Sequence, residues 1–186
     1  MLIVCEDSKS SKNYLEDLCV DFRSNAKVKV SHCGNTDPEG IINYARKNKN
    51  KYEKIFCVID RDEHPSFGKA CSEANGLSNV QIVASYPSFE FWLLLHFLLT
   101  RKPFVRSGKK SPGDELIREL KKDDVMPNYD KGRSSLYREL KERLNDARSR
   151  SLKILEAASR EGEMNPSTQL HELVDYIEEM ESPKKA

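Results

Sequence analysis

The chain has 186 residues, 38% apolar and 33% charged, enough for one hydrophobic core or one core with a helical appendage. Its 31 basic residues against 30 acidic ones leave a net charge of +1. That balance excludes a globally basic nucleic-acid or membrane binder, so any polyanion site has to come from local clustering of charge. The longest apolar stretch, Phe91 to Leu99, is broken by His96 and is too short to span a bilayer. Met1 leads straight into a strand-like run without a basic leader segment. The five cysteines fall within the first 71 residues, widely spaced and without a C-x-x-C pair. They read as reduced thiols packed as small hydrophobes in a cytoplasmic protein, not as a zinc site.

In chain order, Leu2-Ile3-Val4-Cys5 is a short apolar run ending at Glu6 and Asp7. Ser8 or Ser10 is positioned to cap a helix over roughly Ser10 to Arg23, with Tyr14, Leu15, Leu18 and Phe22 on one face. Val28 to His32 alternates like a strand with one wetter face. Asp37-Pro38 opens a second helix, with Asp at the N-cap, Pro at the first helical position and a basic tail from Arg46 to Lys51. The run Ile55 to Ile59 is apolar without a break, the pattern of a strand buried on both faces. A helix near Ser66–Asn75 follows, then a strand at Val80–Ala84, and Ser88 is placed to cap a Phe91–Leu99 helix. Beyond residue 100 no strand signal remains. A basic connector, Thr100 to Pro112, precedes helices near Gly113–Lys122, Ser134–Asn145, Asp146–Arg160 and Ser167–Met180, the last with Asn165 as cap and Pro166 at its first position.

Four strand signals alternating with helical ones call for βαβ units and a parallel, right-handed sheet covered on both faces. The expected organisation is an α/β core over residues 1–100 with a helical C-terminal portion, 101–186, packed against it. In such a sheet, sites form outside the carboxyl ends of the strands, and three of the four strands deliver acid there. Glu6 follows the first, Asp60 and Asp62 the third, and Glu90 lies just beyond the fourth. The i, i+2 spacing puts Asp60 and Asp62 on one side of an extended backbone. Paired carboxylates at a buried strand end suit a hard divalent cation such as Mg²⁺; a charged turn in which Asp62 or His64 caps the next helix is the plainer alternative. Glu90 serves equally as an acid favouring its own helix dipole. His96, among Leu94, Leu95 and Phe97, reads as structural, and the Phe89-Phe91-Trp92-Leu95 face as core.

Four strings, in order, carry a resemblance that spans nearly the whole chain. They are Ile3-Val4-Cys5-Glu6 with Asn13-Tyr14 following, Val58-Ile59-Asp60-Arg61-Asp62-Glu63-His64-Pro65, Ser88-Phe89-Glu90-Phe91-Trp92-Leu93-Leu94-Leu95-His96-Phe97, and Asn165-Pro166-Ser167-Thr168. Together they resemble the RloB-like family of toprim proteins, found in bacterial abortive-infection and phage-defence loci. The resemblance implies a toprim, Rossmann-like parallel sheet flanked by helices, and metal-dependent phosphoryl-transfer chemistry on nucleic acid. It assigns Asp60 and Asp62 to hold Mg²⁺ or Mn²⁺, directly or through water. Glu6 would act as general acid/base or complete the metal shell, and Glu90 would be a further ligand or position the others. In one respect the chain departs from the family pattern: Asp7 stands where a glycine usually follows the first-strand glutamate. This adds a side chain and a negative charge where backbone is expected to approach metal or phosphate.

A nuclease needs cations facing phosphate. Arg101-Lys102, Arg106, Lys109-Lys110 and Tyr129-Asp130-Lys131-Gly132-Arg133 are the candidates, with Lys131 selected; Tyr129 either stacks on a base or packs between helices, and His64 either shuttles protons or caps. The resulting expectation is a metal-dependent endonuclease acting on DNA, RNA or tRNA in anti-phage defence. The resemblance implies an ATPase partner supplied by a neighbouring gene, since the chain itself has no G-x-x-x-x-G-K-[ST] loop. A non-catalytic toprim scaffold that binds nucleic acid or that partner is the competing expectation; primase-like nucleotidyl transfer is a weaker third.

Overall fold

The structure, a computed structural model, describes residues 1–61 and 64–181. Four strands, β1 (Leu2–Cys5), β2 (Lys29–His32), β3 (Ile55–Asp60) and β4 (Val80–Tyr86), lie parallel in the order β2-β1-β3-β4. Between them run α1 (Ser10–Asp21), α2 (Pro38–Asn48) and α3 (Phe67–Asn75). The expected parallel α/β sheet is therefore present, and β3 is buried along its apolar length, as a central strand in a two-faced sheet must be. The mixed exposure of β2 follows from its place at the sheet edge.

Period-2 alternation divides the strand side chains between two layers. Leu2, Val4, Ile55, Cys57, Ile59, Val80 and Ala84 face α2 and α3. Ile3, Cys5, Phe56, Val58 and Val83 face the other way. There they meet α1, α4 (Glu90–Leu95) and the C-terminal helices α5 (Pro112–Leu120), α6 (Leu136–Leu140), α7 (Leu144–Glu161) and α8 (Leu170–Glu181). Trp92, Phe91 and Phe89 are buried in this second layer, so that aromatic face is core, as its pattern indicated. His96 is structural too: it is fully buried, with Nε2 3.2 Å from the Tyr14 hydroxyl and Nδ1 2.9 Å from the Trp92 carbonyl. Burial pushes its pKa down to about 4, which keeps the ring neutral at physiological pH.

Several local expectations are corrected. A fifth strand, β5 (Ser167–Thr168), pairs antiparallel with β4 through Ser85↔Thr168 and Tyr86↔Ser167. Its two residues are polar and leave no apolar run. Burial of Thr168 is tolerated because the Ser85 and Thr168 hydroxyls meet at 2.8 Å and Ser151 Oγ donates to the Thr168 carbonyl at 2.9 Å. The last helix accordingly begins at Leu170, and Asn165 does not cap it. Asn165 instead clamps the connector, accepting from Phe104 N at 3.3 Å and donating to Phe104 O at 2.7 Å. Arg101 is anchored nearby on the Pro166 carbonyl (2.8 Å) and Glu161 (2.6 Å); its charge is thus committed within the protein. Ser88 does not cap α4, whose helical residues stop at Leu95. Asp37 does cap α2, accepting from Gly40 N at 3.2 Å with Pro38 at the first helical position. Among the described residues no helix is long and apolar enough to cross a membrane.

One apolar cluster joins Ile3 and Phe56 of the sheet to Leu116, Tyr137, Ile154 and Leu173 of the C-terminal helices. Leu173→Ala should therefore lower stability by about 2–5 kcal/mol and shift one cooperative transition, read identically by far-UV and near-UV circular dichroism. Two separated transitions would mean that the C-terminal helices unfold independently of the sheet.

Candidate functional site

The carboxyl ends of β1, β3 and β4 lie side by side, and three acids meet there. Glu6 leaves β1 nine-tenths buried, and its Oε2 accepts the Asp60 backbone N–H at 2.8 Å. Asp60, the last residue of β3, turns Oδ1 to the backbone N–H of Phe89 at 2.8 Å, so the β4–α4 turn is tied to the β3 end. Glu90, 3% exposed, is held at both oxygens: Oε2 accepts from Ser88 Oγ at 2.6 Å, and Oε1 accepts from the Tyr129 hydroxyl at 2.9 Å. The Lys131 ammonium stands 3.6 Å from the same Oε1. On the far side of Glu6, His64 Nε2 lies 3.3 Å from Oε1. Asp62 lies outside the described residues.

Electrostatics follow from that crowding. Desolvation, then the neighbouring Glu90 and Glu6 carboxylates, push the Asp60 pKa well above the ordinary aspartate range. Burial acts to lower the pKa of Lys131, but the Glu90 and Asp60 carboxylates outweigh it and the ammonium is held more firmly than usual. Desolvation and the Glu90 charge raise the Tyr129 pKa, so the phenol stays a donor. Tyr129 is itself buried, with Ser10 Oγ 3.4 Å from its hydroxyl. It is therefore a buried tie between core and C-terminal portion, and its ring is not presented for base stacking.

Asp7 has a local task that the sequence did not suggest. Its Oδ1 accepts from Lys9 N (2.6 Å) and Ser10 N (2.8 Å), and its Oδ2 accepts from Ser11 N (2.6 Å). It thereby supplies the cap of α1 expected of Ser8 or Ser10, satisfying donors that the first helical turn leaves open. The added charge is directed at the helix N-terminus, where it is favoured.

Asp7, Lys9, Ser10, Asp60, Phe89, Glu90 and Lys131 line one cleft of about 200 Å³. Lys9 and Ser10 were not picked out beforehand; a helix start following an acid-ended strand is the signal that could have found them. The donors at this edge are carboxylate oxygens, which suit a hard divalent ion, and the like-charge crowding around Asp60 is the kind that a bound cation relieves. Glu6 and Asp60 present carboxylate oxygens of that kind at neighbouring strand ends. Glu90, with both oxygens engaged, suits a positioning role. Among the described residues no group of three His, Cys, Asp or Glu is arranged to hold a metal; the third expected carboxylate, Asp62, is outside that set.

The sequence matches the model of the RloB-like protein family over residues 1–177, and the chain belongs to that family. No curated protein and no solved structure gives a significant match.

Two outcomes are expected. Asp7→Ala removes the acceptor for three backbone N–H groups and should cost about 0.5–2 kcal/mol, a fall of roughly 2–4 °C in Tm per kcal/mol for a chain of this size. An unchanged Tm would remove its capping role. Because the Asp60 pKa is raised in the fold, its contribution to stability is fully present below its unfolded pKa and is lost as pH rises through the folded value. Asp60→Asn, which keeps the acceptor for Phe89 N–H, should therefore raise the metal-free Tm at pH 7 by a few degrees. The gain should vanish near pH 4, and titrated Mn²⁺ should stabilise the wild type alone. A gain that persists at low pH, or equal Mn²⁺ protection of both proteins, would contradict this assignment.

Proposed function

We propose that this RloB-like protein is a toprim nuclease, a metal-dependent phosphodiesterase on nucleic acid that acts in anti-phage defence with an ATPase partner. The reading rests on one observation above the rest: Glu6 and Asp60 are bound to each other through the Asp60 N–H at the carboxyl edge of a parallel sheet, the place where α/β sheets carry their sites. Glu6, Asp60 and Asp62 are the residues assigned to Mg²⁺ or Mn²⁺. Such an ion, when bound, supplies charge stabilisation on the phosphate and lowers the pKa of its water. Glu6 takes or returns a proton at Oε1, the oxygen that faces His64. Glu90 holds Tyr129 and Lys131 in place at the cleft wall. The ATPase partner is what the family resemblance implies; the sequence itself carries no G-x-x-x-x-G-K-[ST] loop that would bind ATP in this chain.

The scaffold reading is favoured by a different observation. Glu6 and Glu90 already accept protein donors, so the acids satisfy one another's neighbours without a ligand. Incubation with labelled DNA, RNA and tRNA panels separates the two, with Mg²⁺ or Mn²⁺ against EDTA, with and without the ATPase, at about 150 mM salt. Metal-dependent cleavage abolished by Asp60→Asn is expected, with weak activity from the chain alone. Binding of nucleic acid or ATPase without cleavage in any arm would establish the scaffold. Prompt cleavage by the purified chain would remove the partner requirement.

A further inference from the structure

Two lysines line the acidic cleft, and they are not equivalent. Lys131 stands 3.6 Å from Glu90 Oε1, so its charge is balanced by a buried carboxylate. The Lys9 ammonium has no ion-pair or hydrogen-bond partner among the described residues, although the side chain lines the same cleft as Asp60 and Glu90. An unpaired ammonium on an exposed lysine is ordinary. What sets Lys9 apart is that its backbone is bound and its stem packs against a second segment. Its backbone N–H is bound to Asp7 Oδ1 at 2.6 Å. Its aliphatic stem lies against Gly132, where a Cβ would come within 2.8 Å of Lys9 Cδ and 3.2 Å of its Cβ. Gly132 has φ +87° and donates its N–H to Ser10 Oγ at 3.2 Å. The turn carrying Lys131 therefore closes on the Lys9 stem, and the Gly132 φ of +87° is one that glycine adopts without strain.

Asp7 sharpens the point. In many phosphate sites the backbone N–H groups of a helix N-terminus hold the anion. Here the Asp7 carboxylate already occupies those of Lys9, Ser10 and Ser11, so α1 cannot serve that purpose. An anion entering the cleft meets Lys9 as its unneutralised cation.

We infer that Lys9, held in place by Gly132, is the residue that anchors a substrate phosphate in this cleft, while Lys131 serves chiefly to neutralise Glu90. The inference rests on the nuclease reading for its substrate class, a phosphodiester of a nucleic-acid strand. The phosphate-binding part stands on the cleft alone.

The test uses the full chain in two assays. In the first, a short fluorescent oligonucleotide is titrated in EDTA across a salt series. In the second, pyrophosphate protection against heat is measured without nucleic acid. Lys9→Ala is expected to weaken oligonucleotide binding about tenfold, the loss of one charge-assisted contact, and to reduce the slope of log K against log salt by about 0.7–0.9. It should also abolish pyrophosphate protection. Lys9→Arg should restore most of both. Lys69→Ala, on α3 and paired with Glu39, should change neither. In cleavage assays Lys9→Ala should raise KM far more than it lowers kcat. If the wild type cleaves and Lys9→Ala leaves affinity, salt slope and KM unchanged, the anchor is wrong and the nuclease reading stands. If pyrophosphate protection depends on Lys9 but nothing is cleaved in any arm, the nuclease reading fails and the anchor stands. A wild type that binds neither probe overturns the anchor, and the nuclease reading is then decided by the cleavage panels.

Discussion

The hydrogen bond from the Asp60 amide to Glu6 Oε2 is the contact on which the sheet edge depends. It links the ends of two neighbouring parallel strands just where ladder pairing stops, and it does so with a carboxylate that is nine-tenths buried. A bond of this kind to a charged acceptor is worth about 1.5–3 kcal/mol, and removing one side leaves the other buried and unsatisfied. From that bond the rest is staged outward. Asp60 fixes Phe89 N, and Phe89 starts the turn that places Glu90. Glu90 then fixes Tyr129 and Lys131, which belong to the C-terminal portion. The helices after residue 100 are joined to the site by this buried polar chain as well as by their apolar packing.

Stability and the proposed chemistry pull against each other at this edge. A cluster of carboxylates with one balanced lysine leaves Asp60 reluctant to ionise, and every unit of such displacement is about 1.4 kcal/mol of differential interaction. The fold tolerates this because each acid accepts hydrogen bonds from N–H or O–H donors. Such a site suits a function that gains from bringing in a cation, and the near-neutral total charge is consistent with positive charge being placed locally.

Much of the frame was legible from pattern. The unbroken Ile55–Ile59 run has the pattern of a strand covered on both faces, and the Asp37-Pro38 pair marked a helix start by simple capping chemistry. What escaped had no apolar signature. The two-residue β5 is polar and is held by hydroxyl contacts with Ser85 and Ser151. The role of Asn165 depends on Phe104, 61 residues away. The sequence placed Glu6, Asp60 and Glu90 at one edge because strand ends in parallel sheets share an edge. It could not reveal which oxygens were already taken, since that depends on Tyr129 and the Ser88–Phe89 turn converging from two segments.

Asp7 illustrates how a departure from a family pattern changes the local structure at a strand end. A glycine at this position would leave the first N–H groups of α1 open to a ligand. The aspartate closes them, and its carboxylate oxygens are engaged by the α1 N–H groups at the wall of the cleft. The cost is that the helix dipole no longer offers an anion site, and the benefit is a firmly capped α1 whose first residue, Ser10, reaches both Tyr129 and Gly132. Positive charge for a phosphate has then to come from side chains at the rim, and a lysine whose stem is already confined loses less conformational entropy on binding than one that is loose. The same aspartate that removes the backbone cradle also fixes the backbone of Lys9, so the loss and its replacement arise from one residue.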